Sequence, residues 1–136
     1  MSEGDIDSLR RVYAALQDRD VDGLRSVLSH DAELTLPDGL PWGGTRHGPE
    51  GVENLLEIFL DHVEGTWAYA DDFLDAGDRI VVLGRMSGRA KASGQAFEAS
   101  FAHVWKVSQG VPSSCRAYVD TAPIVAALTG EEWDSV

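Results

Sequence analysis

The chain has 136 residues, of which 43% are hydrophobic and 25% are charged, as expected for one globular domain spanning residues 1–136. Its formal net charge is −12, which disfavours nucleic acid and membranes as partners, because both need clustered Lys and Arg. The single cysteine, Cys115, excludes an intrachain disulfide and is interpreted as a small buried hydrophobe rather than a nucleophile.

The N-terminal stretch MSEGDIDSLRR is polar and acidic, unlike a signal or transit peptide. No apolar run approaches the length of a membrane span. We therefore expect a cytoplasmic location.

The first predicted element is a helix capped by Asp5, and a short second helix follows the corner DRDVDGL. Their apolar positions recur at helical spacing: Ile6, Leu9, Val12, Tyr13 and Leu16 in the first, then Leu24, Val27 and Leu28 in the second. The alternating stretch AELTL, residues 32–36, predicts a strand.

Residues 37–48 are predicted to be a loop, because two prolines and four glycines disfavour regular structure. Pro49 then suits the first turn of a third helix, which Gly65 is expected to end. The apolar stripe of that helix comprises Val52, Leu55, Leu56, Phe59, Leu60 and Val63.

From Trp67 onward the apolar period becomes two, which predicts strands at 67–75, 79–91, 95–107 and 112–119. The turns AGD, ASG and SQG are too short for crossover helices, so neighbouring strands should be antiparallel. Asp120 is expected to cap a last helical piece, APIVAALTG. Helices early and strands late predict an α+β fold, in which a curved antiparallel sheet wraps the helices and leaves a pocket between them.

Five stretches resemble, in order and spacing, the nuclear transport factor 2-like superfamily, and within it the SnoaL-like and ketosteroid isomerase-like proteins. They are VYAALQDRDVDGLRSVLSHDAEL, GTRHGPEGV, DAGDRIVVLGRMSG, FAHVWKV and AYVDTA. The resemblance implies a cone-shaped, cystatin-like roll with a hydrophobic pocket. Such scaffolds host isomerases, cyclases, hydrolases and non-catalytic binders, so the resemblance leaves the reaction open.

Positions where relatives carry catalytic carboxylates are apolar here. The base of ketosteroid isomerases corresponds to Leu36, and the aspartate of SnoaL-type cyclases corresponds to Ala117. The arginine and aspartate of the epoxide hydrolases fall near Gly84 and Met86. A general base must be titratable. Steroid isomerisation and epoxide hydrolysis by the family mechanisms are therefore not expected.

His103 lies in the alternating stretch SFAHVWKV and shares its predicted inward face with Phe101 and Trp105, since the opposite parity carries Glu98 and Lys106. SnoaL-type cyclases have a pocket histidine in the matching stretch. Three interpretations remain open: an acid/base catalyst, a ligand contact, or a core histidine bonded to a backbone carbonyl or to Tyr13. Apolar burial should lower its pKa.

Tyr13 is the candidate oxyanion donor, or else packs with its hydroxyl at the pocket rim. The ligand pocket is predicted to be lined by Leu34, Leu36, Trp42, Phe59, Met86, Phe101, Trp105, Cys115 and Ala117. Trp42 is interpreted either as a pocket lid or as a loop anchor on the third helix. His30, His47 and His62 lack metal spacing, and we expect neither a metal nor a cofactor.

The outward face of the sheet is predicted to carry an apolar patch, which favours a homodimer through that face. Its members are Val81, Leu83, Ala102, Val104 and Tyr118. Two hypotheses follow for function. One is a protein with a pocket for a hydrophobic small molecule, acting as an isomerase or cyclase with His103 as acid and base. The other is a non-catalytic binding protein or dimeric scaffold.

Overall fold

A computed structural model of the chain describes residues 2–131. The helices are α1 (Ser2–Asp18), α2 (Val21–Val27), α3 (Gly48–His62) and α4 (Thr121–Thr129), and the strands are β1 (Glu33–Leu36), β2 (Gly44–His47), β3 (Val63–Asp75), β4 (Ile80–Ala90), β5 (Ala96–Ser108) and β6 (Val111–Val119). The predicted α+β class is confirmed. Within the described residues, no helix is long and apolar enough to cross a membrane.

The strands form one six-stranded sheet in the order β2-β1-β6-β5-β4-β3. The prediction of a purely antiparallel sheet is wrong at one place, because β1 pairs with β6 in parallel. The helix α3 and four further strands separate β1 from β6 along the chain. The short-turn argument therefore applied only to β3–β6, which do pair antiparallel.

Three element boundaries also differ from the sequence expectations. Residues Gly44–His47, predicted to be loop, form the edge strand β2, whose backbone pairs with β1 despite its glycine. The first helix already includes Ser2, so Asp5 lies inside it and does not cap it. The third helix ends at His62 rather than at Gly65, because the chain turns directly into β3 at Val63.

Asp120 does precede α4, but its side chain makes no capping hydrogen bond. Asp120 is the single residue between the end of β6 at Val119 and the start of α4 at Thr121. Its backbone N–H donates to the Ser100 carbonyl at 3.0 Å. This contact holds the turn to the sheet.

Two irregularities curve the sheet where it meets the helices. The pairing of β3 with β4 shifts register between Thr66 and Tyr69 and again between Ala70 and Asp72. Such bulges bend a strand and turn its side chains away from simple alternation. The bend lies beside α1 and α3, and the main hydrophobic core fills the concave side between these helices and the sheet.

Candidate functional site

Strand β5 delivers His103 to the concave side of the sheet. Phe101, His103 and Trp105 are all buried, whereas Glu98 and Lys106 on the opposite parity are exposed. The inward orientation predicted from alternation is therefore confirmed. His103 is only 3% exposed and, with Ser8, is one of two buried polar residues among those described.

Helix α1 places Tyr13 directly over this histidine. The Tyr13 Oη atom lies 2.6 Å from Nδ1 of His103, across 90 residues of sequence. The indole Nε1–H of Trp105 donates to the same oxygen at 2.8 Å. Of the two hydrogen-bond partners considered for His103, a backbone carbonyl and Tyr13, the structure contains Tyr13.

The direction of the hydrogen bonds follows from the donors available. Tyr13 Oη accepts from Trp105, and its own proton has His103 Nδ1 as its only close acceptor. A neutral imidazole that accepts at Nδ1 carries its proton at Nε2. Within residues 2–131, no hydrogen bond reaches Nε2. The chain Trp105 to Tyr13 to His103 therefore ends in an N–H group without a protein acceptor.

Burial keeps both central groups neutral. Desolvation lowers the pKa of His103 from 6.5 to about 3, in the expected direction. Desolvation also raises the pKa of Tyr13 well above its usual value; interaction with Cys115 adds to this rise, and the Trp105 hydrogen bond opposes it. At neutral pH the pair is thus an uncharged phenol bonded to an uncharged imidazole.

Aromatic rings hold the imidazole in place. The Phe101 ring stacks on His103 with centroids 3.8 Å apart, and the Trp67 ring stacks at 5.7 Å. Gly84 lies opposite Phe101 on β4, and a Cβ at that position would press against the Phe101 ring and the Tyr69 carbonyl. The glycine therefore leaves the space that the Phe101 ring occupies beside His103.

His103 forms part of the wall of a small inner cavity between α1 and the sheet. The free space is about 20 Å³, enough for roughly one water molecule. The wall is mostly aliphatic, and its members are Val12, Tyr13, Leu16, Leu24, Leu28, Leu34, Thr35, Leu36, Val52, Trp67, His103, Trp105, Cys115 and Ala117.

An outer groove of about 230 Å³ lies on the other side of this wall. Leu16 and Trp67 border both spaces, and we call these two side chains the partition. The Nε1–H of Trp67 is buried and has no hydrogen-bond partner. The groove is otherwise bordered by Gln17, Arg19, Leu56, Phe59, Leu60, Gly65, Thr66, Ala68 and Tyr69.

Residues 9–111 match the family model described as the SnoaL-like domain. The chain belongs to the SnoaL-like domain family. The comparison with curated proteins found no match.

Solved structures similar to this SnoaL-like domain cover nearly its whole length. A nuclear transport factor 2-like protein of unknown function from Burkholderia pseudomallei is 32% identical, with a TM-score of 0.81 over 95% of this chain and 99% of the other. A nuclear transport factor 2-like protein from Burkholderia xenovorans is 26% identical, with a TM-score of 0.83 over 94% and 98%. TerC, co-crystallized with polyporic acid, is 25% identical, with a TM-score of 0.81 over 93% and 98%. The superfamily assignment made from sequence is confirmed.

Most residues predicted to line the pocket of this SnoaL-like domain do border the inner cavity. Besides the two candidate catalytic residues, Tyr13 and His103, they are Leu34, Leu36, Trp105, Cys115 and Ala117. The positions that correspond to relatives' carboxylates, Leu36 and Ala117, thus face the cavity as apolar side chains. Apart from Tyr13 and His103, the titratable group on this wall is Cys115, whose pKa burial raises well above its ordinary value.

Four predicted pocket residues lie outside the inner cavity. Trp42 is fully buried against the Phe59 ring of α3, with centroids 5.1 Å apart, which matches its interpretation as a loop anchor rather than a lid. Phe59 borders the outer groove instead. Met86 pairs across strands with Ala99, and Phe101 lies behind the imidazole.

The most informative residue missed from sequence is Trp67. Trp67 is the first residue of the strand predicted at 67–75. Alternation does not tell which face of the sheet its side chain lies on, because the bulge after Thr66 interrupts the pattern. The helical stripes did signal other wall residues, namely Val12, Leu16, Leu24, Leu28 and Val52. In the described part of the chain, no three His, Cys, Asp or Glu side chains come together to hold a metal.

The opposite face of the sheet carries the apolar patch expected there. Val81 lies across from Val104, and Ala102 lies between Leu83 and Tyr118 on its two neighbouring strands. Leu83 is 37% exposed and Tyr118 is 54% exposed. The five side chains therefore form one continuous, solvent-facing surface, which we call the outer patch.

Proposed function

We propose that this SnoaL-like domain binds a small, mostly apolar molecule through an acceptor oxygen such as a ketone carbonyl. The observation that carries the proposal is a pair of N–H donors, Nε2 of His103 and Nε1 of Trp67, neither of which has a protein acceptor. Both side chains border the same apolar cavity. The Nε1–H of Trp67 is buried, and a buried donor without a partner costs about 1–3 kcal/mol, which a ligand oxygen would recover.

The donors are neutral, which favours recognition of an uncharged oxygen. With a pKa of about 3, His103 offers a hydrogen bond but no positive charge at neutral pH. Such a group polarises a carbonyl without transferring a proton. The solved TerC structure with polyporic acid supports the idea that a fold of this kind accommodates an organic ligand.

Binding of ketones tests the proposal. Acetophenone and ethylbenzene differ chiefly in the carbonyl, and NMR chemical-shift titration would give the dissociation constant of each. We expect the ratio of the two affinities to fall about fivefold in His103→Phe and in Trp67→Phe, since each removes one donor worth about 1 kcal/mol. Trp42→Phe is the matched control, because Trp42 lies outside the cavity. An unchanged ratio in both cavity variants would refute the proposal.

Proton transfer by His103, as in an isomerase or cyclase, is the second candidate. The 2.6 Å contact with Tyr13 favours it, because it aligns two groups that can exchange a proton. A base at neutral pH would need a pKa much nearer 7 than about 3. Nitrogen NMR of the imidazole with acetophenone bound would support this candidate if the His103 pKa rose toward 7.

A non-catalytic scaffold is favoured by a different observation, the inner free space of only about 20 Å³. We also propose that a second copy of the chain covers the outer patch, because exposed apolar surfaces of this kind typically mark protein interfaces. A dimer whose cavity takes up no ketone would support the scaffold function.

A further inference from the structure

The outer groove and the inner cavity share two side chains, the partition, in their walls. Leu16 comes from α1 and Trp67 from β3, so rotamer changes at two side chains are the shortest way for the two spaces to join. The free space of the groove, about 230 Å³, is more than ten times the roughly 20 Å³ of the cavity. The inner cavity alone is too small for an organic ligand, and the groove is the adjoining space with room for most of one.

The partition is a weak point of the packing. Trp67 lies at the bulge where the pairing between β3 and β4 is interrupted, and its buried Nε1–H has no partner. Because this N–H has no partner, a change of rotamer breaks no hydrogen bond, and the indole can gain one from water or from a ligand oxygen. The indole is thus suited to move aside and to donate to what enters.

The charge at the groove is opposite to that of the whole protein. Arg19 is the one charged residue on the groove wall among the described residues, although the chain carries a net charge of −12. Within residues 2–131, the guanidinium group makes no ion pair or side-chain hydrogen bond. Its backbone sits at the α1–α2 corner in the left-handed region, with φ 54°, and its N–H is bonded to Leu16.

We propose that groove and cavity form one binding site for an elongated apolar carboxylate. The carboxylate lies at Arg19, the apolar body follows the groove, and the far end displaces the partition to reach Trp67 and His103. This inference rests on the proposed function and adds the anionic end, the entry route and the role of Arg19. The guanidinium group supplies the charge-assisted hydrogen bonds that carboxylates prefer.

A matched pair of probes isolates the anionic end. 3-Benzoylpropionate and its methyl ester share the phenyl ketone and differ in charge. In NMR titrations, Arg19→Gln should weaken binding of the acid about three- to tenfold and leave the ester within about twofold. Added salt should weaken binding of the acid to the native protein but hardly change its binding to Arg19→Gln. Arg11→Gln, an equal charge change at an exposed site on α1 outside the groove, is the control.

The outcomes separate the two proposals. If the ester binds, but Arg19→Gln and Arg11→Gln change the affinity for the acid equally, then Arg19 does not bind the carboxylate. The proposed function still stands in that case. If neither probe binds the native protein, both proposals fail. A loss confined to the acid in Arg19→Gln supports the inference.

The entry route has its own test, because Cys115 reports access to the inner cavity. Leu16→Ala, which opens the partition, should speed methanethiosulfonate labelling of Cys115 at least about fivefold more than Leu24→Ala. Leu24 borders only the cavity and controls for lost packing. Saturating 3-benzoylpropionate should slow the reaction. Equal acceleration in both variants, compared at matched unfolding free energy, would overturn the route.

Discussion

Acidification from about pH 7 to about pH 4.5 should destabilise the native state by about 2.5 kcal/mol through His103 alone. The unfolded chain takes up a proton as the pH falls below 6.5, whereas burial lowers the pKa of the folded imidazole to about 3. The unfolded state therefore binds more protons throughout this window, and stability falls with falling pH. Each pH unit inside the window costs about 1.4 kcal/mol.

Urea unfolding of the native protein and of His103→Gln isolates this term. Glutamine does not titrate, and its amide oxygen can still accept the Tyr13 hydrogen bond. Carboxylates titrate alike in both proteins, so their contribution cancels in the difference. At pH 7 we expect the native protein to have a larger unfolding free energy than His103→Gln. This difference in unfolding free energy should shrink by about 2.5 kcal/mol at about pH 4.5.

His62→Gln serves as the control, since the imidazole of His62 lies on the exposed end of α3. Its unfolding free energy at about pH 7 should stay within about 0.5 kcal/mol of the native value, as expected for a substitution at an exposed site. Parallel pH profiles for the native protein and His103→Gln would mean that the folded imidazole titrates near its ordinary value. That result would refute the account of the site as a desolvated, neutral pair.

Two further outcomes follow from burial and from the outer patch. Burial raises the pKa of the Cys115 thiol well above its ordinary value. A disulfide reagent at about pH 8 should therefore label the folded protein at least about 100-fold more slowly than the protein in urea. Comparable labelling rates would show that the thiol is accessible in the folded protein. If a second copy covers the outer patch, Val104→Glu should convert a dimer to a monomer in sedimentation velocity, because the carboxylate would be desolvated without a partner. An unchanged dimer would mean that the interface lies elsewhere.

The alternation of β5 and the helical stripe of α1 were legible in the sequence because each element has one buried face. The alternation of apolar residues in β5 puts His103 and Trp105 on the buried face of that strand, whatever the strand packs against. The helical spacing of apolar residues in α1 does the same for Tyr13. The α+β class followed from the order of such elements, and the superfamily followed from the resemblance of five sequence stretches. The sequence likewise predicted that the apolar residues Leu36 and Ala117 line the pocket, and both lie on the cavity wall.

Contacts between distant segments were decided only in three dimensions. The parallel pairing of β1 with β6 and the edge strand β2 depend on partners outside their own stretch of chain. Trp67 enters the cavity wall because a bulge in β3 breaks the alternation from which its face would be read. The 2.6 Å contact of Tyr13 with His103 depends on how α1 crosses the sheet. Local periodicity specifies which face of an element is buried, but the packing of elements decides which buried side chains meet.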